Sequence, residues 1–478
     1  MAATQKADIR TLLGAGADED RLAVSHFLIG AGFLVGGGLA EALALFTLRF
    51  DGLFPVSYGR LESIANLTLI VGFAIISLLG GIYYVLPRLT GTRLWGADLA
   101  RLAMLGITGL VLAGDLIVAL GFGSGRQPFG LSWWATAPIA LALSIPAVVV
   151  IGTLRRRRET RSFVTLWFVI GGVVWLPLLL LAHLVGELPN VRAVTASISD
   201  VFLSAGALTM VVITLGTGLV YYTVVKELDI PLASRQLGVV GFWSLGFAGV
   251  WWGLAQGVFG PGPDWITGVA AALGLAFPIG ALINAANVSM TLEGNWDEME
   301  DRPGVASGVY GLYFVVAVAV MASFASFPTI GSVTALTSYW EAVEYGALLG
   351  AGSLLVAGIT FEALPRAAGR RLPTNDRART FNRLTIIGVG GVLLSLAAAG
   401  LVTGYSWLGG SNTAAFSDAA DGWAAGAGAA EVLTLVAVAF AMVTVLGQFA
   451  YASVIAGTIF SGKTVVQDLL VGEGEDDE

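Results

Sequence analysis

The chain has 478 residues, of which 56% are hydrophobic and 12% charged, about half the charged share of an ordinary globular protein. Its zero cysteines and two histidines exclude disulfides, thiolate metal sites and a multi-histidine metal centre. The net charge of −8 comes without a basic stripe, which argues against nucleic-acid binding and is compatible with an acidic, salt-adapted proteome.

Twelve apolar stretches follow one another, each close to the roughly 20 residues that a helix needs to cross a bilayer. They predict an all-α fold, a polytopic membrane protein with 12 transmembrane helices. We expect a short N-terminal segment (1–22) without a cleavable signal peptide, a single transmembrane domain (23–460) and an acidic tail (461–478). The helices are predicted within 23–49, 64–87, 99–122, 132–153, 163–187, 199–225, 237–259, 265–292, 306–327, 340–364, 383–406 and 430–460.

The positive charges predict the orientation of these helices. All but four of the 25 lysines and arginines fall on the side that holds both termini; the exceptions are Arg49, Arg60, Arg126 and Arg192. Loops rich in lysine and arginine stay in the cytoplasm. The sequence therefore predicts a multi-pass protein of the cell membrane with both termini cytoplasmic.

Several segments resemble one protein family in unbroken order. LFPVSYGRL, followed by a helix ending in YYVLPRLTGTRLW, resembles the second helix of the catalytic subunit of haem–copper oxygen reductases, closest to the cbb-type. SFVTLWFVIGGVVWLPLLLLAHLV is similar to the fifth helix of that family, and LGTGLVYYTVVKELDIPLASRQLGVVGFWSLGFAGVWWG to the sixth and seventh. The resemblance covers about residues 23 to 406. It implies a cytochrome c oxidase subunit I-like bundle of twelve helices in three arcs, and by family an oxygen or nitric oxide reductase subunit of a respiratory chain.

The metal ligands that the family carries are missing at the corresponding places. The resemblance puts the low-spin haem histidine of the second helix at Ala65 and the copper histidine of the sixth helix near Ala205. It puts the seventh-helix tyrosine near Gly249. The adjacent histidine pair and the haem histidines of the tenth helix fall near Ala255, Gln256, Val343 and Tyr345.

Two histidines, His26 and His183, are too few for a copper site, and they belong to opposite ends of their helices. A haem needs axial ligands on facing helices, so we predict that the chain has no metal site and binds no haem of its own. Haem held by one histidine alone or with a methionine (Met210, Met290 or Met321) remains the alternative. The emptied core is expected to be filled by Trp251, Trp252, Tyr345 and Phe361, or else by lipid or quinone.

Ionisable groups inside the bilayer are costly and usually functional or paired. Glu341, Glu344 and Tyr345 lie at i, i+3 and i+4 and share a helix face. They predict a proton or ion path along the tenth helix, together with Glu362, Glu41 and Asp115. The alternative is that these carboxylates are structural groups, bonded to polar neighbours or placed at the water interface, and that His183 donates a hydrogen bond within the bundle.

Three functions compete on these observations. The first is a subunit I-like protein without redox centres, acting as a structural, quinone-binding or ion-conducting subunit of an electron-transfer complex. Its partners would be other membrane subunits, such as a cupredoxin-like or haem-bearing protein. The second is an active oxidase or nitric oxide reductase subunit with unusual ligation, and the third is a standalone transporter on the same fold. Whether the chain is an enzyme is left open.

Overall fold

The computed structural model describes residues 18–461 except 51, 189, 258–259, 261 and 413–415, and only the backbone of residues 300 and 409–425. Within that part the fold is all-α, and twelve helices are long and apolar enough to cross a membrane, which confirms the predicted number. They are α1 (Asp18–Arg49), α2 (Tyr58–Thr90), α3 (Ala97–Ala119), α4 (Trp133–Leu154), α5 (Val164–Gly186), α6 (Ala193–Glu227), α7 (Arg235–Ala255), α8 (Asp264–Thr291), α9 (Pro303–Ser326), α10 (Ser338–Ala368), α11 (Asn375–Leu408) and α12 (Gly426–Ser461).

Several helices begin earlier than their apolar runs predict, and the largest difference is that α11 starts at Asn375 rather than near 383. Helix α2 starts at Tyr58 rather than near 64, and α6 at Ala193 rather than near 199. Both first turns carry polar residues, which a search for apolar stretches passes over although they continue the helix. Of the predicted terminal segments, residues 1–17 and 462–478 lie outside the described residues, and residues 18–22 form the first turns of α1.

Successive helices alternate in direction, so the bundle has two faces. We call the face where α1 begins the N-face, and the face where α1 ends and α2 and α10 begin the far face. Two short helices lie in the connections: Trp296–Asp301 at the N-face and Pro328–Thr334 at the far face.

Helices α2 and α10 form the centre of the bundle. The most apolar window of α2 is 100% buried and that of α10 is 94% buried, whereas that of α12 is 22% buried. Both central helices and α6 contain a wide π-helical turn, at Leu67–Ile75, Gly346–Gly352 and Ala207–Ile213. The three turns contact one another. Such turns often mark functional sites inside helices.

Glycine allows the closest helix contacts, as is usual in membranes. A methyl group added to Gly358 of α10 would lie 3.0 Å from the Cα atom of Gly308 in α9. The backbones of these two helices therefore touch where any larger residue would force them apart.

Candidate functional site: a carboxylate pocket at the far face

Four glutamates from three helices line one pocket near the far face. Glu41 comes from α1, Glu62 from α2, and Glu341 and Glu344 from α10. We call this site the carboxylate pocket. Its wall also contains Tyr58, Tyr345 and Ser204, and its apolar side is formed by the π-helical turns through Leu69, Ile70, Leu208, Leu348 and Leu349.

Three helices bring these side chains together because of their spacing along each helix. Tyr58 and Glu62 lie four residues apart on α2, and Glu341 and Glu344 lie three apart on α10, so each pair shares a face. Glu41 lies about two turns before the end of α1. All four carboxylates consequently sit about two turns or less below the far face.

Hydrogen bonds hold the two α10 glutamates. The Tyr58 hydroxyl donates to Glu341 Oε1 at 2.9 Å, and the Gln256 amide donates to Glu344 Oε1 at 3.3 Å. The second oxygen of Glu341, Oε2, is buried without a hydrogen-bond partner. This oxygen is therefore free to bond a proton or a water molecule.

The pocket has a strong imbalance of charge. Among its lining residues there is no lysine, arginine or histidine to balance four glutamates. Like charges that share a low-dielectric site cannot all be ionised, because each added charge raises the cost of the next. The pocket is therefore chemically suited to hold protons that its carboxylates share.

The pocket is small. It leaves about 30 Å³ for the centres of water molecules, and since one water needs about 10–15 Å³ on this measure, it holds about two. A quinone ring does not fit this space as it stands. In the part of the chain that the structure describes, no group of three or more His, Cys, Asp or Glu side chains is arranged to hold a metal ion.

The predicted path residues fall into three separate groups. Glu41, Glu341, Glu344 and Tyr345 share the pocket. Glu362 lies 18 residues after Glu344, about 27 Å along α10. Along this length the α10 hydroxyls of Ser353 and Thr360 bond to backbone carbonyls of their own helix. The side chains of α10 alone therefore do not form a continuous path.

Glu362 belongs to an ion cluster at the N-face. Its carboxyl group lies beside that of Glu227, and Glu227 forms ion pairs with Arg302, at 3.3 Å, and with Arg366. This arrangement matches the alternative expectation of a carboxylate bonded to polar neighbours.

Asp115 lies apart from both groups. It accepts a hydrogen bond from Thr68 of α2 at 2.9 Å, which ties α3 to the π-helical turn of α2. Its other oxygen, Oδ1, is buried without a partner.

Sequence reasoning missed Glu62 and Tyr58 as parts of the pocket and Gln256 as the hydrogen-bond partner of Glu344. The signal for two of them was present, because Tyr58, Glu62 and Asn66 follow a spacing of four and all three line the pocket. Glu62 is also a carboxylate at the start of an apolar helix. The contact of Gln256 with Glu344 joins residues 88 positions apart in the sequence, and no local pattern predicts it.

Both histidines lie close to polar neighbours. His26 Nδ1 lies 2.8 Å from the Leu22 carbonyl, to which it must donate, and its ring meets Tyr83 edge-on at 5.2 Å. His26 contacts Gly80, which lies 15 residues along α2 from Ala65, about 22 Å. It is therefore remote from the position where the family resemblance places a haem ligand.

His183 belongs to a second group at the far face. Its Nδ1 lies 3.2 Å from Asp200 Oδ1 and its Nε2 lies 3.6 Å from Glu187 Oε1. Arg126 donates to both oxygens of Asp200, from Nε at 3.0 Å and Nη2 at 2.7 Å. We call Arg126, His183, Glu187 and Asp200 the far-face ion cluster; it joins α5, α6 and the α3–α4 loop.

The positions that the resemblance assigns to metal ligands are closely packed. Ala65, Ala205, Ala255 and Val343 are each at most 1% exposed, although a void of haem size beside them would leave them accessible. Their side chains offer no nitrogen or sulfur ligand, and Gln256 is bonded to Glu344. The residues at these positions therefore do not fit a haem or copper ligand set.

The expected filling residues are only partly where they were predicted. Trp252 is fully buried and stacks on Trp340 with ring centroids 6.0 Å apart, and Tyr345 lines the pocket. Trp251 is half-buried against Phe202. Phe361 lies 18 residues from Val343, about 27 Å along α10, so it fills a different region.

Comparison with known proteins shows which family this architecture resembles. The sequence profile of the family described as "Cytochrome C and Quinol oxidase polypeptide I" matches residues 21–449. Cytochrome c oxidase subunit 1 of Rhodobacter capsulatus is 25% identical over 71% of this chain and 66% of its own length. The Cbb3-type cytochrome c oxidase subunit CcoN1 of Stutzerimonas stutzeri is 25% identical over 78% of this chain and 81% of its own.

A solved structure shares the fold. A chain of a heme-copper terminal oxidase dimer superposes with a TM-score of 0.77, covering 94% of this chain and 85% of that chain at 12% identity. The all-α bundle, the family match over most of the chain and the aligned relatives agree with the resemblance seen in the sequence. This chain is a membrane protein that belongs to the haem–copper oxidase subunit I superfamily.

Proposed function

We propose that this protein is a subunit I relative without haem or copper centres of its own, which takes up and releases protons at the carboxylate pocket within a membrane electron-transfer assembly. The observation that carries the proposal is the convergence of four glutamates from α1, α2 and α10 without a balancing basic residue. The alanines and valine at the expected ligand positions support it, since they leave no donor for iron or copper.

Other subunits of the assembly would supply the redox centres that this chain lacks. Subunits of this superfamily work with other subunits, so the redox chemistry would belong to a partner, such as a cupredoxin-like or haem-bearing membrane protein. The exposed, uncharged far-face segment around Leu336 is a suitable surface for such a contact. Proteins that co-purify in mild detergent would identify the partner.

An optical spectrum tests the absence of redox centres. We expect the purified chain to show no Soret band and to consume no oxygen by itself. Stoichiometric haem bound by this chain alone would overturn the proposal in favour of an active reductase with unusual ligation. Proton movement without any co-purifying redox subunit would favour a standalone transporter.

Infrared spectroscopy tests whether carboxyl groups of the protein bind and release protons. A protonated carboxyl group has a C=O stretching band that shifts in D2O, and we expect the purified protein to show such a band that changes with pH. Glu344→Gln should remove part of this band and abolish pH-linked activity of the assembly. Glu293→Gln, an exposed N-face glutamate, is the matched control and should leave both unchanged.

A further inference from the structure

A second cavity lies beside the carboxylate pocket and opens at the far face. It is lined by Ser57, Gly59, Arg60 and Ser63 from the start of α2 and by the α3–α4 loop from Gly121 to Gly130. We call it the vestibule. It offers about 360 Å³ to water centres, an order of magnitude more than the pocket, and its lining is almost entirely polar or glycine.

Only the first turns of α2 separate the two cavities. On this short stretch Tyr58, Glu62 and Asn66 face the pocket, whereas Gly59 and Ser63 face the vestibule. Gln127 lines the vestibule, and its side-chain amide lies close to the Glu62 carboxylate. Glu62 is thus the pocket carboxylate that a vestibule residue contacts directly.

The loop that builds the vestibule is held in a fixed shape. Gly121, Gly125 and Gly130 have φ values of +88°, +73° and +66°, which glycine adopts without strain. The Ser124 amide donates to the Gly130 carbonyl at 2.8 Å. Arg126 is anchored to Asp200 by two hydrogen bonds, which fixes the neighbouring Gln127 beside Glu62.

Charge favours protons over metal cations at this opening. Arg60 adds a positive charge to the vestibule wall and is exposed to solvent. This charge repels metal cations, whereas a proton can be passed along neutral water molecules. Glu62 lines the same pocket as Glu41, Glu341 and Glu344, so a proton that reaches Glu62 has entered this group of four.

We infer that protons reach the carboxylate pocket from the far face through the vestibule, and that Glu62 is the first carboxylate to receive them. This inference rests on the proposed proton function of the pocket. It assigns a direction of access to that function and a role to a loop that contributes no residue to the pocket itself.

The absence of cysteine gives a direct test. Ser57 is exposed and its side chain caps no helix hydrogen bond, so Ser57→Cys can be modified with a bulky thiol reagent that fills the vestibule. We expect the modified variant to exchange the pocket carboxyl protons for deuterium roughly tenfold more slowly, as followed by the shift of the infrared C=O band. Modified Ser332→Cys, another exposed far-face serine, is the control and should exchange at the unmodified rate.

A second variant keeps the test valid if the first one misfolds. Gln127→Leu keeps the size of the side chain and removes the polar amide beside Glu62, and it should also slow the exchange. Unchanged exchange in modified Ser57→Cys or in Gln127→Leu, with the carboxyl band present, would overturn the vestibule route alone. A wild-type protein without any pH-dependent carboxyl band would instead overturn the proposed function itself.

Discussion

At the scale of single residues, Arg126 and Asp200 form a two-point contact at the far face. Asp200 is 7% exposed and accepts both hydrogen bonds of the guanidinium. Removing the Asp200 carboxylate breaks two hydrogen bonds to a charged group, while the remaining Arg126 side chain is 29% exposed and can be hydrated. We expect Asp200→Asn to destabilise the protein by about 1.5–3 kcal/mol, measured by thermal unfolding in detergent.

The same substitution elsewhere provides the control. Asp98 pairs with Arg101 at 3.5 Å, but its side chain is 99% exposed, and exposed pairs are worth about 0–1 kcal/mol. Asp98→Asn should therefore change the melting temperature little. If Asp200→Asn lowered the melting temperature as little as Asp98→Asn, the far-face ion cluster would not stabilise the fold.

Glu187 makes the far-face ion cluster sensitive to pH. Burial raises its pKa above the ordinary 4.5, an effect that His183 and Arg126 oppose and Asp200 reinforces. A carboxyl group with a raised pKa binds more protons in the folded state, so stability is lost as the pH rises from about 4.5 through the raised pKa, by at most about 1.4 kcal/mol per pH unit. Glu187→Gln should flatten this part of a plot of melting temperature against pH; an unchanged slope would contradict the assignment.

Single residues also show the limit of reasoning from sequence. Glu41, Glu341, Glu344 and Tyr345 stand out as polar residues in apolar helices, and the structure brings them together. The hydrogen bond from Tyr58 to Glu341 joins residues 283 positions apart, and only the packing of α2 on α10 creates it. Local spacing finds the members of the pocket, but not which members meet.

At the scale of helices, the apolar runs predict where each span lies but not how closely two spans approach. Helices α11 and α12 meet at Gly388, where an added methyl group would lie 2.6 Å from the Thr444 amide nitrogen and 3.0 Å from the Phe440 carbonyl oxygen. Gly390, two residues later, has nothing within 4 Å. The sequence alone does not distinguish these two glycines, since both belong to the run GVGGV.

This pair of glycines gives a matched prediction. Gly388→Ala should push the two helices apart and destabilise the protein by about 1–3 kcal/mol. Gly390→Ala should be neutral or stabilising by up to about 1 kcal/mol, because alanine is the better helix former. Thermal unfolding of both variants measures the difference, and a Gly388→Ala variant as stable as Gly390→Ala would refute the close contact.

At the scale of the whole molecule, the number of spans and their order were predictable because apolar length and collinear motifs both record them. The division into central and peripheral helices was not. Helices α2 and α12 have the same mean hydropathy, 2.3, yet 100% of one window is buried and 22% of the other. Lipid and a protein interior are equally apolar, so hydropathy does not tell which helices the bundle encloses.

Orientation in the membrane is a property of the whole molecule that labelling can measure. The positive charges concentrate at the N-face, and such loops remain in the cytoplasm, so we expect the far face, with the vestibule, to lie outside. Thr160 in the α4–α5 connection is exposed at the N-face, and Ser332 between α9 and α10 is exposed at the far face. In the cysteine-free chain, a membrane-impermeant thiol reagent added to intact cells should label Ser332→Cys and not Thr160→Cys, and both should react after the cells are opened. Labelling of Thr160→Cys alone in intact cells would reverse the orientation, and with it the side of the membrane from which the pocket receives its protons.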